Sequence, residues 1–415
     1  MDVIVDSTNK RTGGDRRLLP RAENGKRASD VAERELISDT VAPAAARSES
    51  GVKYVLLVAM LFLIGLFGVY SANKHLAPVL NDDAKITEVG KILAGGENYL
   101  TYDLNIETRL LKHSLIESLP KTPELAILGA SHWQEAPATL AGDVHMFNAH
   151  VHRDYFEDIL GVTNMFVRVG KLPKKMVITI RDNQFKPFHK RTDWLWVPIM
   201  KDYQEMAARL NLPIMDYYPN GLTPQVRQKL SLPLLKANVE RYLAAPVAPV
   251  ASNLSVHPTL DTLHPDGSIT WSTLHQQAFT QERARAEALS HAYAQRPNAP
   301  GIDPVGRQSV DTTLAFLKEQ GVDVYLAHPP FNPIYWDAVQ GSPYMDGIDD
   351  IRQMTREWSE KYDMPIIGGF DPAKTGCTSD MYIDGEHSNS VCLGKIITQF
   401  LELDKARQMT VGKGS

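Results

Sequence analysis

The sequence predicts an α/β protein: a parallel sheet covered by helices on both faces, carried behind one membrane-spanning helix. Three observations carry this expectation. Tyr54–Tyr70 is an uncharged apolar run that reaches 19 residues with Ser71 and Ala72, within the ~17–25 needed to cross a bilayer. From residue 124 onward short apolar runs alternate with helical patterns, the rhythm of a parallel sheet. Several of these runs end in turn residues, and such strand ends are where α/β sheets collect their chemistry.

Residues 1–53 hold ten Lys and Arg among Ser, Asp, Ala and Gly. So little apolar surface does not offset the entropy of ordering, and a disordered tail is expected. A cleaved signal peptide competes with an anchor for residues 54–72, but 53 residues are too many for an n-region. Basic residues before the span put the tail in the cytoplasm by the positive-inside rule. The rest is then extracytoplasmic. The net charge of −5 leaves no nucleic-acid footprint. Residues 73–120 read as a stalk and a lead-in helix, with leucines at helical spacing in "LNIETRLLKHSLIESL".

The main domain is expected over residues 121–405. Glu124–Leu128 reads as its first strand and Val144–Phe147 as a weaker second. Asp154–Val167 is a helix with Phe156, Ile159, Leu160 and Phe166 on one side. Lys175–Ile180 is a strand. Val310, Leu314 and Leu317 mark a helix closed by Gly321. Val322–Ala327 is a strand, Ile348–Tyr362 a helix, and Met364–Ile367 the last strand. Ser388–Leu403 is a final helix with Val391, Ile396, Phe400 and Leu403 inward. Between about 185 and 305 the rhythm breaks. A Pro/Ala linker (245–253), the turn and strand of "HPDGSITW" (264–271) and a polar helix (Thr273–Gln295) read as an inserted lid or docking surface. Residues 406–415 read as a flexible tail.

The chemistry begins at "PELAILGASHWQEAP". A buried strand running into Gly129-Ala130-Ser131 is either a plain turn or a serine raised from a sheet edge to act as nucleophile. A serine needs a base, and the base an orienting carboxylate. "MYIDGEHSNS" supplies Asp384 and His387 just before the last helix. At this spacing the carboxylate reaches one ring nitrogen while the other faces Ser131. The plain alternative is a helix-capping loop. Cys377 and Cys392, the only cysteines, bracket these two residues on the exported side. A disulfide between them is expected, with two free buried thiols as the alternative. His132, His145, His150 and His152 crowd the region, but their spacing suits no standard metal cluster, so no metal and no cofactor is expected. These histidines are expected at the surface or rim, with His132 binding substrate. Trp133, Trp194, Trp196, Trp271, Tyr335 and Trp336 are core residues or the walls of a sugar cleft, with Trp336 the candidate behind a strand end.

On the apolar span, "ILGASH", "ITIRDNQF", "HPPFNPIYWDAV" and "DGEHSN", the chain resembles the SGNH-hydrolase-like superfamily. Within it the likeness is to the DltD-type proteins of teichoic acid D-alanylation and to exopolysaccharide O-acetylation proteins. The likeness covers residues 120–185 and 305–405. It implies a three-layer α/β/α fold with an inserted subdomain and a catalytic Ser131, Asp384 and His387. It implies an oxyanion hole in which Asn183 supplies the side-chain donor. "MFNAHVHRD" has no glycine for the second donor, so the backbone N–H of Ala149 or His150 is expected to replace it. A missing donor costs ~10²–10³ in rate, which favours a dedicated O-acyltransferase over a fast general hydrolase. The implied partners are the membrane, a membrane-bound O-acyltransferase supplying acyl groups, and a polysaccharide acceptor. The implied place is a bacterial inner membrane with a periplasmic catalytic domain. A non-catalytic glycan- or acyltransferase-binding protein and an SGNH esterase are the competing functions.

Overall fold

The computed structural model describes residues 49–76, 83–101, 108–186, 199–214, 229–244, 251–278 and 280–411. Most of the basic tail, Trp194, Trp196, most of the Pro/Ala linker and residues 412–415 lie outside them. The chain divides into two compact units, Met1–Met60 and Leu61–Ser415. The sheet and every candidate site residue belong to the second.

Helix α1 spans Glu49–Leu76. Within it Val52–Leu76 is the apolar stretch, whose most apolar 18-residue window has a mean hydropathy of 2.5 and is not buried. At 1.5 Å per residue its 25 residues extend about 37 Å, longer than the ~30 Å hydrocarbon core. One helix is therefore long and apolar enough to cross a membrane.

The next residues are not a stalk. Helices α2 (Asp83–Ala94) and α3 (Thr108–Ser118) flank strand β1 (Asn98–Thr101). Ile86, Val89 and Leu93 of α2 join Leu111, Leu115 and Ile116 of α3 in the main hydrophobic core. Strand β1 pairs antiparallel with β5 (Ala251–Ser252) and β6 (Asp261–Leu263), and β6 with β7 (Ile269–Thr270). This four-stranded sheet ties the insertion to the segment before the main domain.

The central sheet is parallel throughout. It comprises β2 (Leu125–Leu128), β3 (Met146–Asn148), β4 (Lys175–Thr179), β8 (Asp323–His328) and β9 (Ile366–Gly368), in the order β3-β2-β4-β8-β9. The strands are near-continuous apolar runs because both faces are covered. Leu125, Ile127, Val177, Tyr325 and Ile367 face one way, toward helix α12 (Ser390–Val411). Ala126, Leu128, Met176, Ile178 and Leu326 face the other. There they meet α4 (Phe156–Arg168), α9 (Pro304–Glu319) and α11 (Pro343–Tyr362).

The last helix has a different phase from the expected one. Leu393, Ile396, Ile397 and Phe400 point inward, an i, i+3, i+4, i+7 stripe, while Val391 and Leu403 are exposed. The helix also continues to Val411, so residues 406–411 are helical. Because β3 and β4 lie on opposite sides of β2, the chain direction reverses there, and the carboxyl ends of β2 and β4 open a crevice.

Candidate active site

Strand β2 delivers Ser131 to that crevice through Gly129 and Ala130, and a 3-10 turn carries Ser131–Trp133. Gly129 is required by space: a Cβ there would stand 2.2 Å from Thr179 Oγ1 and 2.9 Å from Trp133 Cδ1. Trp133 is fully buried, and its indole N–H donates to Thr179 Oγ1 at 2.6 Å. This bond clamps the turn to β4. Gly129→Ala should lower stability by roughly 1–3 kcal/mol through overpacking, and displace Ser131 as well. Urea unfolding of the variant checks this, and an unchanged midpoint would contradict it.

The candidate base, His387, comes from the loop before α12. Asp384 Oδ1 accepts the amides of Glu386 (2.8 Å) and His387 (2.7 Å), closing a tight turn. Its Oδ2 lies 2.7 Å from His387 Nδ1. His387 Nε2 then lies 2.8 Å from Ser131 Oγ. The three expected residues are therefore one hydrogen-bonded chain. Burial pushes the Asp384 carboxyl up, but bonds to His387 and the loop amides outweigh it and hold the group below its ordinary value. Burial also depresses the His387 imidazole, and the bond to Asp384 with the neighbouring carboxylates more than restores it, to above the usual histidine value. A base must be neutral to accept a proton. The rate of serine labelling should therefore rise with pH, with its midpoint above the ordinary ~6.5. Asp384→Asn should move that midpoint down. A midpoint below 6 in the unaltered protein would contradict this assignment.

A disulfide joins Cys377 to Cys392. Its half-cystines pack with Tyr382 under the same loop, and the Tyr382 hydroxyl donates to the carbonyl oxygen of Phe331 at 2.8 Å. The loop is thus anchored on both sides of Asp384 and His387.

The expected second oxyanion donor is not available. The N–H of Ala149 bonds to the carbonyl of Ile127 at 2.8 Å, continuing the β2–β3 ladder. The N–H of His150 donates to Asn148 Oδ1 at 3.1 Å. Asn148 is instead structural: fully buried, it donates to the carbonyls of Trp133 (2.7 Å) and Ala136 (3.0 Å) and holds the serine turn. The N–H of Ser131, first in its turn, has no acceptor among the described residues, as the first N–H groups of a helix generally do not.

Two of the expected rim histidines are interior. His150 is fully buried and His132 is 5% exposed. His132 sits beside the triad, its ring centroid 5.4 Å from that of His387, with Arg181 Nη1 2.8 Å from its Nε2. Burial first, then the positive charge of Arg181, holds its imidazole well below the usual range, so the ring is neutral. Asn183 follows strand β4 and lines the same cavity as His132 and Arg181. Trp336 does not line it; it stacks on Phe331 and under the Arg352 guanidinium. The cavity wall from that segment is Phe331, Tyr335 and Tyr344. Among the described residues no group of His, Cys, Asp or Glu has a metal-binding arrangement.

Sequence reasoning missed Arg181, Glu135 and the particular contacts by which the insertion, expected as a lid or docking surface, meets the serine turn. The β6–β7 hairpin docks on the serine turn: Ile269 N–H donates to the Gln134 carbonyl (2.8 Å) and Asn148 N–H to that of Asp266 (2.6 Å). Gly267 fits because of its φ of +84° and because a Cβ would stand 2.3 Å from the Asn148 carbonyl oxygen. Lys112 of α3, wholly buried, donates to the carbonyls of Asn148 and Gly267, and burial pulls its pKa down to about 7. Trp271, after the hairpin, lies 6.4 Å from the His387 ring, and its N–H approaches Glu135 Oε1 at 3.4 Å. Burial pushes the Glu135 carboxyl up to about 7. On the other side, helix α8 (Gln281–Gln295) presses on the base loop: a Cβ at Gly385 would stand 2.6 Å from the Ala288 nitrogen. The remaining helices among the described residues are α5 (Met200–Arg209), α6 (Leu232–Ala244), α7 (Thr273–Ala278) and α10 (Pro333–Val339). The spacing of the "HPDG" turn was the one signal in the sequence for this hairpin.

Comparison with models of known protein families finds no match. Comparison with curated proteins gives no significant match either.

Proposed function

We propose that the chain is a membrane-anchored, extracytoplasmic O-acyltransferase of SGNH-like three-layer design, working through an acyl-Ser131 intermediate. The observation that carries the reading is the chain Asp384 Oδ2–His387 Nδ1, His387 Nε2–Ser131 Oγ at 2.7 and 2.8 Å. Its geometry matches what a nucleophile, base and orienting group require.

In the first half-reaction Ser131 Oγ attacks the carbonyl carbon of an acyl donor while its proton passes to His387 Nε2. The tetrahedral oxyanion is met by the Ser131 N–H and the Asn183 side chain. Collapse expels the donor's leaving group with the proton from His387. In the second half, an acceptor hydroxyl gives its proton to His387 and attacks the acyl carbon. Ser131 leaves and regains its proton. Asp384 stays ionised and holds the ring in one tautomer. The donor is supplied by a membrane-bound O-acyltransferase, and the acceptor is a polysaccharide of the envelope or outside the cell. The enzyme sits in the bacterial inner membrane with residues 1–53 in the cytoplasm and the catalytic domain in the periplasm.

Two features favour transfer over hydrolysis. One amide of the usual oxyanion hole is committed to the sheet, and the insertion closes over both the serine turn and the base loop. The direct test is glycan acylation in cells carrying Ser131→Ala. Its loss, with protein still in the membrane, supports the enzyme; normal acylation would leave only a binding role.

A further inference from the structure

We infer that helix α6 of the insertion lies in the lipid interface beside the carboxyl end of α1, held there by Asn73, so that the bilayer itself covers an apolar face of the folded domain. The inference needs α1 to cross a membrane and does not need the acyltransferase reading. Asn73 stands in the last turn of α1 and is 1% exposed. Asparagine is ordinarily a surface residue, but this one is engaged at both ends of its amide. Its Nδ2 donates to the carbonyls of Lys229 and Ser231, both at 2.9 Å, and its Oδ1 accepts from Asn238 Nδ2 at 3.1 Å. Asn238 is buried too. Ser231 precedes α6 and accepts the Leu234 and Leu235 amides. Asn73 therefore grips both the start of α6 and its second turn.

The depth of this grip follows from the length of α1. About 20 residues of helix cross the ~30 Å hydrocarbon core. Counted from Val52, where the apolar stretch begins, they end near Ser71. Asn73 then falls in the headgroup layer, and Lys74 and His75, both exposed, follow it. Ser231 and Asn238, bonded to Asn73, share that level. The sequence of α6 suits the place. Leu232, Lys236 and Val239 recur at i, i+4 and i+7 and so share a face. All three are exposed, Leu232 by 65% and Val239 by 37%. On the other side Leu234 and Leu235 are half-buried and Asn238 is buried. A lysine within an apolar face lays its stem along that face and lifts its ammonium to the headgroups. Such a helix is the kind that lies at a lipid interface. Position selects the partner: a face held at the end of a membrane span meets lipid before it meets a soluble protein.

The test uses the full chain in nanodiscs of phosphatidylcholine and phosphatidylglycerol, carrying Leu232→Cys or Val239→Cys labelled with a maleimide bimane. Cys377 and Cys392 are bridged, so the dye reads only the added thiol. A nitroxide near the headgroup end of the lipid chain quenches from the membrane, and iodide quenches from water. Phe62→Cys, within the span, and the dye conjugated to glutathione in solution set the two ends of the scale. With the face sunk ~5–10 Å into the headgroup boundary, both labels should be quenched by the nitroxide nearly as well as Phe62→Cys, and by iodide roughly threefold less than the free conjugate. Asn73→Ala should raise iodide quenching at both sites and leave that of Phe62→Cys unchanged. Where Asn73→Ala lowers the melting temperature, the labels in the otherwise unaltered protein decide the case. Iodide quenching at 232 and 239 equal to that of the free conjugate overturns the inference. So does shielding from iodide without nitroxide quenching, which would mean a protein contact. Unchanged quenching in a folded Asn73→Ala protein overturns the role given to Asn73. A Phe62→Cys label open to iodide would remove the span, and the inference with it.

Discussion

Ser131→Ala and His387→Ala should each reduce acyl transfer by about 10⁴-fold or more, with protein levels in the membrane unchanged. The magnitude follows from hydroxyl activation: without the imidazole 2.8 Å away the serine proton has no acceptor, and without the serine there is no covalent route. Members of such a unit fail together, so the double variant should be scarcely worse than either single one. Asp384→Asn should keep the fold and still cost up to ~10⁴-fold, because the amide favours the wrong tautomer. Asp384 also accepts two loop amides, and an asparagine oxygen can retain these. The rates are measured as acyl groups transferred to glycan per protein in membranes. Additive losses in the double variant would mean that serine and histidine act separately.

Replacing Cys377 and Cys392 together with serine should have the next largest effect. The bridge closes a loop with a sequence separation of 15, worth ~3 kcal/mol in the chain-entropy model. At roughly 2–4 °C per kcal/mol for a domain of this class, the melting temperature should fall by about 6–12 °C. Serine labelling should slow without vanishing, since the disulfide holds the Asp384–His387 loop and forms none of its bonds. Differential scanning calorimetry of oxidised, reduced and double-serine protein checks this. A fall below 2 °C would show that the loop is held by Tyr382 and its neighbours alone.

Whatever depended on neighbours in sequence was readable from the sequence. The five strands of the parallel sheet fell within two residues of their places because apolar runs end at turns. Asp384 and His387 are three apart, so their bond is a local matter, as is the pairing of the only two cysteines around them. The errors came from long-range partners. Ala149 looks like a donor until β3 pairs with β2 and binds its N–H to Ile127. Residues 98–101 look like a stalk until strands more than 150 positions later pair with them. Trp336 and Tyr335 are adjacent on a short helix, and only its phase decides which one faces the cavity. The final helix could be read in two phases, and packing on Ile127 and Val177 selected the one with Leu393 and Ile397 inward. Arg181 gave a faint signal, a charge directly after an apolar strand, with meaning only once His132 lay beside it.

The central claim is that Ser131 is a nucleophile activated by His387. It is tested most directly by treating the purified full chain with a fluorophosphonate and locating the adduct by peptide mass spectrometry. The expected result is one adduct, on Ser131, forming faster as the pH rises through the His387 pKa and absent in His387→Ala. A folded protein that stays unlabelled, or labels equally without His387, would contradict it.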